Sequence, residues 1–268
     1  MRNLVLIIVL TLWSPSFVQA QSQDKGITQM LELTGLDELI RHIPKFAQDS
    51  LQQGKGSMDP KVWGLLNKQI PVAYDSEKIN QDVYSYLNKN YDQKLARGYI
   101  EFLESDMAKK FSELEKGARE NPQDFQNHVQ TISHSFNQSP RGKAIGRLDN
   151  ATRTSEFSID LQVSFFRTIF EAVDPYLESD MKLQNGELEK MTGEVRSSLT
   201  APTENMTLYS YSYAFKDISE QSLEEFIAAY EKTAPQWAIK TMGKAVIYAL
   251  EQARVRTIDL MKPPRLAK

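Results

Sequence analysis

The sequence contains no cysteine. This absence excludes a disulfide framework, a thiol nucleophile and a lipid-modified N-terminal cysteine. A fold without covalent cross-links has to be stabilised by its hydrophobic core, and a chain of 268 residues is long enough to bury most of its apolar surface. We therefore expect a globular protein whose stability comes from side-chain packing.

Patterns typical of catalysis and metal binding are also missing. The three histidines, His42, His128 and His134, belong to no H-E-x-x-H motif, and none follows a glutamate by three residues as in di-iron bundles. No G-x-S-x-G motif occurs, and Gly142-Lys143 lacks the preceding glycine of a phosphate-binding loop. The sequence therefore predicts no catalytic residue, no metal and no cofactor.

Positive charge is not in excess. The chain has 32 basic and 35 acidic residues, a formal net charge of −3. Nucleic-acid binding requires a concentrated positive surface, so nucleic acid is not an expected partner.

Long apolar runs are absent except at the N-terminus. Leu4–Trp13 is apolar and follows Arg2, and Val18 and Ala20 stand where a signal-peptide cleavage site would place small residues. The run is shorter than the about 20 residues of a membrane-spanning helix. We expect residues 1–20 to be a signal peptide and the mature chain to be exported, in bacteria to the periplasm, and not integral to the membrane.

Apolar residues recur with helical spacing along almost the whole chain, which predicts an all-α fold of about ten amphipathic helices. We expect two helical halves, residues 21–139 and 140–268, that share a core. The longest predicted helix starts at Ser139-Pro140 and ends near Val173. This helix would connect the two halves of the chain. Residues 197–203, which contain Pro202, are predicted to form a loop.

One segment has a mixed pattern. Tyr209, Tyr211, Tyr213 and Phe215 alternate with a period of two, as in a half-buried strand, but the neighbouring segments are helical and no partner strand is evident. We therefore favour a helix. These four aromatic residues are the candidate contacts for a hydrophobic ligand or a partner, although they could equally fill the core.

Three segments share the spacing of an aromatic residue, a hydroxyl residue three positions later and an apolar residue six positions after that. The hydroxyl of each could cap a new helix by accepting a hydrogen bond from an unpaired N–H group. The predicted caps are Ser105, Ser139 and Thr233.

The second of these segments carries a resemblance to a known family. Phe136–Ile145, which reads F-N-Q-S-P-R-G-K-A-I, is similar to the F-Y-x-S-P-x-G pattern of a bacterial exported family, domain-of-unknown-function family 2059. Ala214–Tyr230 is similar to the F-x-x-L-S-x-x-E-L-x-x-L-I-x-F-Y stretch that precedes it in that family. Neither Ser105 nor Thr233 is followed by proline, and the two best matches lie in different halves, which a diverged duplication would explain. The resemblance implies a helical periplasmic protein and no particular activity.

Three functions stay open at this point. The first is a non-enzymatic protein that binds an envelope protein through a helical surface, and the second is a carrier or sensor of a hydrophobic small molecule. The third is an envelope hydrolase with paired carboxylates, for which Glu101, Glu104 and Glu171 are the candidates.

Overall fold

The structure is a computed structural model that describes residues 15–132, 136–178 and 182–262. Side chains are described from residue 23 onward, without that of Ser57. Most of the predicted signal peptide and all of His134 therefore lie outside the described residues.

The described part of the chain is all-α, as predicted, with twelve α-helices where about ten were expected. Three short 3₁₀ helices, Lys55–Ser57, Phe136–Gln138 and Asp174–Tyr176, connect some of them. The α-helices are α1 (Pro15–Thr34), α2 (Leu36–Gln53), α3 (Pro60–Ala73), α4 (Ser76–Lys89), α5 (Gln93–Leu103), α6 (Asp106–Arg119), α7 (Pro122–Thr131), α8 (Pro140–Thr152), α9 (Thr154–Val173), α10 (Glu187–Ala214), α11 (Glu220–Tyr230) and α12 (Thr233–Met261).

The aromatic segment with mixed periodicity lies in α10, so the prediction of a helix is confirmed. The loop predicted at residues 197–203 is wrong, because α10 continues through Pro202. Proline removes one helical hydrogen bond, but the packing of α10 against α9 stabilises the helix as a whole. The hydroxyls of Ser198 and Thr200 donate to the backbone oxygens of Val195 and Arg196, each at 2.8 Å, so these polar side chains are accommodated within the helix.

The long central helix is interrupted, which corrects the prediction of one helix from residue 140 to residue 173. α8 and α9 meet at Arg153, which has a left-handed backbone conformation with φ 55° and ψ 31°. The carboxylate of Asp149 accepts a hydrogen bond from the backbone N–H of Ser155 at 2.9 Å across the break. This interaction holds the two helices at a defined corner.

Two groups of buried side chains form the core. The larger group joins α1 to α5 with α9 and α12, and it includes Leu66, Ile79, Tyr99, Val246 and Ala249. The smaller group joins α6, α8, α10 and α11 around Phe111, Ile145, Phe215, Leu223 and Phe226. Helices from both sides of residue 139 contribute to each group. The domain boundary at residue 139 stays a prediction.

The N-terminal helix contributes to the larger core beyond the predicted cleavage site. Ile27, Met30 and Leu31 are buried, and Thr28 Oγ1 lies 2.9 Å from the Tyr84 hydroxyl on α4. Cleavage after Ala20 would leave all of these contacts intact. Across the described ranges, no helix is both long enough and apolar enough to cross a lipid bilayer.

Candidate functional site

A cavity of about 840 Å³ lies alongside α12, and its walls include side chains from both core groups. This volume is within the range of about 300–1,000 Å³ that is usual for small-molecule sites. The apolar part of its wall consists of Leu33, Leu36, Leu103, Ala108, Phe157, Phe226, Ile239, Met242 and Ile247.

The cavity follows α12 for more than two turns. Ile239, Gly243 and Ile247 on this helix line it, and residues eight positions apart on a helix are separated by about 12 Å. A Cβ atom at Gly243 would lie in ordinary van der Waals contact with the ring of Phe157, at 3.8 Å. The cavity therefore extends about 12 Å along this helix.

The two ends of the cavity differ. Gln236 Nε2, near the start of α12, donates to the backbone oxygens of Ala151 at 2.7 Å and Tyr230 at 2.8 Å. This places the ends of α8 and α11 beside the start of α12. Farther along α12, the Tyr248 ring lies 5.5 Å from the ring of Tyr86 on α4. We call the first end, lined by Tyr99, Glu115, Thr152, Thr154, Tyr211, Phe226 and Tyr230, the tyrosine end, and the second, lined by Leu36, Tyr86 and Ile247, the α4 end.

The mouth of the cavity carries exposed charges of both signs. Its exposed charged residues are Lys109, Glu113, Glu156, Lys240 and Lys244. Glu156 is paired with Arg153, and the wall residue Asp160 is paired with Arg196. Because water screens exposed charges, these residues affect a bound molecule less than a charge inside the cavity does.

Tyr211 forms a hydrogen-bonded group at the tyrosine end. Its hydroxyl lies 2.6 Å from Thr154 Oγ1 and 3.1 Å from Thr152 Oγ1, and the two threonine hydroxyls are 2.8 Å apart. Burial raises the pKa of Tyr211, and the nearby charge of Glu115 raises it further. The phenol therefore keeps its proton at neutral pH and can donate or accept a hydrogen bond.

The other aromatic rings of this end pack closely against one another. The ring of Tyr230 lies 5.0 Å from Phe226 and 4.9 Å from Phe102, in edge-to-face geometry. Burial raises the pKa of both Tyr99 and Tyr230. These side chains make this end of the cavity largely aromatic, with tyrosine hydroxyl groups among the rings.

Glu115 is a partly buried acidic residue of the cavity wall. Burial raises the pKa of its carboxyl from 4.5 to about 7, although the positive charge of Arg119 acts in the opposite direction. Its charge in turn raises the pKa of Tyr211 and of Tyr230, so the three groups face the same region. No hydrogen-bond or ion-pair partner for the Glu115 carboxylate is found among the described residues.

The four aromatic residues singled out in the sequence lie in or directly after α10, and their side chains have different surroundings. Tyr211 lines the cavity and stacks on Phe215 at 5.6 Å, and Phe215 is fully buried in the smaller core. Tyr213 is buried near Phe125 at 5.8 Å, and Tyr209 is partly exposed. Tyr211 is thus the one of these four candidates that the structure places at the cavity.

The predicted caps differ in their outcome. Ser105 Oγ accepts a hydrogen bond from Ala108 N–H at 3.2 Å, and Ser139 Oγ accepts one from Gly142 N–H at 3.0 Å. Thr233 does not cap α12: it is the first residue of the helix, and Lys232 occupies the N-cap position without a side-chain cap bond. The third segment still helps to shape the cavity, because Tyr230 and Ile239 line it.

The carboxylates considered for hydrolysis do not come together at the cavity. Glu101 is exposed, Glu104 accepts a hydrogen bond from Gln29 at 2.7 Å, and Glu171 is held by Arg167 and Arg254. None of these three glutamates lines the cavity.

The two described histidines lie apart from it as well. His42 Nδ1 is 2.8 Å from Glu38 O, and His128 Nε2 is 2.8 Å from Ser212 Oγ. No group of acidic or histidine side chains suited to hold a metal ion occurs among the described residues.

Glu115 was not identified as a site residue from the sequence, although its position on α6 indicates partial burial. It follows Ala108 by seven residues and Phe111 by four, which places it on the buried stripe of α6. A charged residue on an apolar helix stripe indicates a shielded charge, but the lysines and glutamates around it suggested a solvated face.

The fold and the site define a class: an all-α protein with an aromatic cavity whose wall contains a partly buried carboxylate. No protein-family model, no curated protein and no solved structure matches this chain. The resemblance to domain-of-unknown-function family 2059 therefore stays a prediction.

Proposed function

We propose that this chain is an exported, non-enzymatic protein that binds a small hydrophobic molecule in the cavity beside α12. The observation that supports binding is the cavity itself, with its volume of about 840 Å³ and its mixture of aromatic, aliphatic and hydroxyl groups. The proposal of export depends on the N-terminal sequence, where an apolar run precedes a suitable cleavage site.

The lining supports a ligand that is mainly apolar with a polar group. Phe157, Ile239, Met242 and Ile247 offer apolar contact along α12, and each Å² of apolar surface removed from water contributes about 25 cal/mol. The hydroxyl of Tyr211 and the threonines beside it can orient a polar group at one end. Small-molecule sites typically combine a largely apolar wall with a few placed polar groups.

Binding agrees better with this geometry than hydrolysis does. A pair of catalytic carboxylates needs two acidic groups with different pKa values beside the same bond. Glu115 has a raised pKa, whereas Glu113 and Glu156 of the wall are exposed to solvent, and Glu156 and Asp160 are bound to arginines. Binding of an envelope protein through a helical surface stays a prediction from the sequence.

A fluorescence titration tests the proposal. N-phenyl-1-naphthylamine is a hydrophobic probe that brightens in apolar surroundings, and the purified protein should bind it saturably with a stoichiometry of one. Native mass spectrometry of the same preparation should show whether a molecule from the host co-purifies and is displaced by the probe.

A matched pair of glycine variants locates the binding. Gly243→Leu projects a side chain into the cavity, whereas Gly193→Leu adds the same side chain to the exposed face of α10, where nothing lies within 4 Å of the new Cβ. We expect G243L to lose probe binding and G193L to retain it. Equal binding by both variants, with both folded, would contradict a site at this cavity.

A further inference from the structure

We propose that the tyrosine end of the cavity binds the ammonium group of an amphipathic amine, with Glu115 as its counter-ion. The alkyl part of such a ligand lies along α12 toward the α4 end. This inference rests on the proposed function, because it names the class of molecule that the cavity takes.

The first support is an unbalanced negative charge. Glu115 faces the cavity, and no basic side chain forms an ion pair with it among the described residues. Arg119, four residues later on α6, lowers its pKa but is exposed to solvent. A carboxylate that is partly removed from water costs free energy unless a cation or several hydrogen bonds compensate it. A ligand ammonium group at this position would supply that compensation.

The second support is the aromatic surround. Tyr99, Tyr211, Phe226 and Tyr230 line the same end as Glu115. Aromatic ring faces attract cations, and cages of several rings are a recurrent way to bind quaternary and methylated ammonium groups. The rings also accept the methyl groups of such a cation by apolar contact. Carboxylate and rings together therefore favour an organic cation over a metal ion.

The third support is the shape of the cavity. From the tyrosine end it follows Ile239, Met242 and Ile247 to Leu36 and Tyr86 at the α4 end. A decyl chain is comparable in length to this path of about 12 Å along the helix. The apolar wall thus accommodates a tail while the head group stays beside Glu115.

The lysines at the mouth would favour an anionic head group instead. Lys109, Lys240 and Lys244 are exposed, so water and salt screen their charges. A charge–charge interaction inside the cavity is stronger at the same distance because the effective dielectric constant is lower there. We therefore expect the partly buried carboxylate to outweigh the exposed lysines, and an anionic amphiphile becomes the competing outcome of the test.

Isothermal titration calorimetry with three probes of equal chain length tests this inference. Decyltrimethylammonium, 1-decanol and decyl sulfate are titrated into the full mature protein below their micelle concentrations. We expect the cation to bind most tightly. Glu115→Gln preserves the shape of the side chain and removes its charge. This variant should weaken the affinity for the cation by roughly tenfold or more and leave the affinity for decanol unchanged. Glu101→Gln, an exposed glutamate on α5 that does not line the cavity, is the control and should change neither.

The pH dependence of cation binding by the unmodified protein gives a second measurement. The groups that face Glu115 are Arg119 from its own helix, Tyr211 from α10 and Tyr230 from α11. The arginine stays charged and both phenols stay protonated between pH 5 and pH 8. Affinity for decyltrimethylammonium should therefore rise over this interval as the Glu115 carboxyl, with its pKa near 7, loses its proton.

Each outcome decides between the two proposals. Decanol binding without any preference for the cation, or tighter binding of decyl sulfate, overturns this inference and leaves the proposed function in place. The same holds if E115Q is folded and binds the cation as tightly as the unmodified protein. If none of the three probes binds, both the inference and the proposed function are wrong.

Discussion

The hydroxyl of Tyr211 lies 2.6 Å from Oγ1 of Thr154. Because the same hydroxyl is 3.1 Å from Thr152 Oγ1, one phenol on α10 contacts both sides of the break at Arg153. The corner between α8 and α9 and the tyrosine end of the cavity are therefore stabilised by the same group.

Tyr211→Phe should destabilise the protein by about 1 kcal/mol, because the two threonine hydroxyls lose a partly buried hydrogen-bond partner. The threonines still bond to one another at 2.8 Å, which keeps the loss modest. Tyr209→Phe, on another face of the same helix, is the control and should have little effect. Urea unfolding followed by circular dichroism measures both free energies, and equal values for the two variants would show that the bridge does not contribute.

At Arg153 we expect the usual order of stability of alanine and glycine in a helix to be reversed. In a regular helix, alanine is more stable than glycine by about 1 kcal/mol. Arg153 has a positive φ, where glycine is favoured over residues with a Cβ atom. Arg153→Gly should therefore be more stable than Arg153→Ala by about 1 kcal/mol. Both variants lose the exposed ion pair with Glu156, so it cancels in the comparison. A preference for alanine would indicate an unbroken helix.

Gly142 and Gly146 provide a second matched pair, both within α8. A Cβ atom at Gly142 would lie 2.0 Å from the backbone oxygen of Phe136, whereas nothing lies within 4 Å of one at Gly146. We expect Gly142→Ala to destabilise the protein by about 2 kcal/mol through the forced backbone shift. Gly146→Ala should stabilise it by up to about 1 kcal/mol through helix propensity. Thermal unfolding of the two variants distinguishes them, and similar midpoints would contradict the turn geometry at Phe136.

Glu115 should make stability depend on pH. Its folded-state pKa of about 7 lies above the ordinary value of 4.5, so the folded protein binds this proton more tightly than the unfolded chain does. The unmodified protein therefore loses stability as pH rises from about 4.5 to 7, by up to about 3 kcal/mol. Glu115→Gln does not ionise and should gain stability relative to the unmodified protein over that interval.

Unfolding free energies at pH 4 and pH 8 without ligand measure this difference. Exposed Glu113, four residues from Lys109 on the same helix, is the control, and Glu113→Gln should show no comparable change between the two pH values. A stability difference between E115Q and the unmodified protein that stays constant with pH would mean that the Glu115 carboxyl is solvated.

The fold class could be predicted because local patterns determine it. Apolar residues at helical spacing define the buried stripes, and side-chain caps such as Ser105 and Ser139 act within one turn of the helix. The break at Arg153 could not be predicted in this way, since neither glycine nor proline marks it. It depends on distant partners, above all Tyr211, which is 57 residues from Thr154 in the sequence.

The cavity could not be predicted from the sequence patterns either. A space between helices exists where side chains from several elements fail to meet, and no single helix encodes it. Tyr211 was a candidate because of the aromatic cluster, but Tyr99, Tyr230 and Glu115 come from other helices. Thr233 shows the limit of spacing rules, since α12 begins at that residue instead of after it.

The most direct test of the central claim is a crystal structure of the mature protein grown with 1-decanol. We expect continuous ligand density along α12 from Tyr230 to Tyr86, with Gly243 beside the chain and the hydroxyl group near Tyr211. A structure in which α6 packs onto α12, with the side chains of Tyr211 and Phe157 filling the space and no ligand between them, would contradict the account.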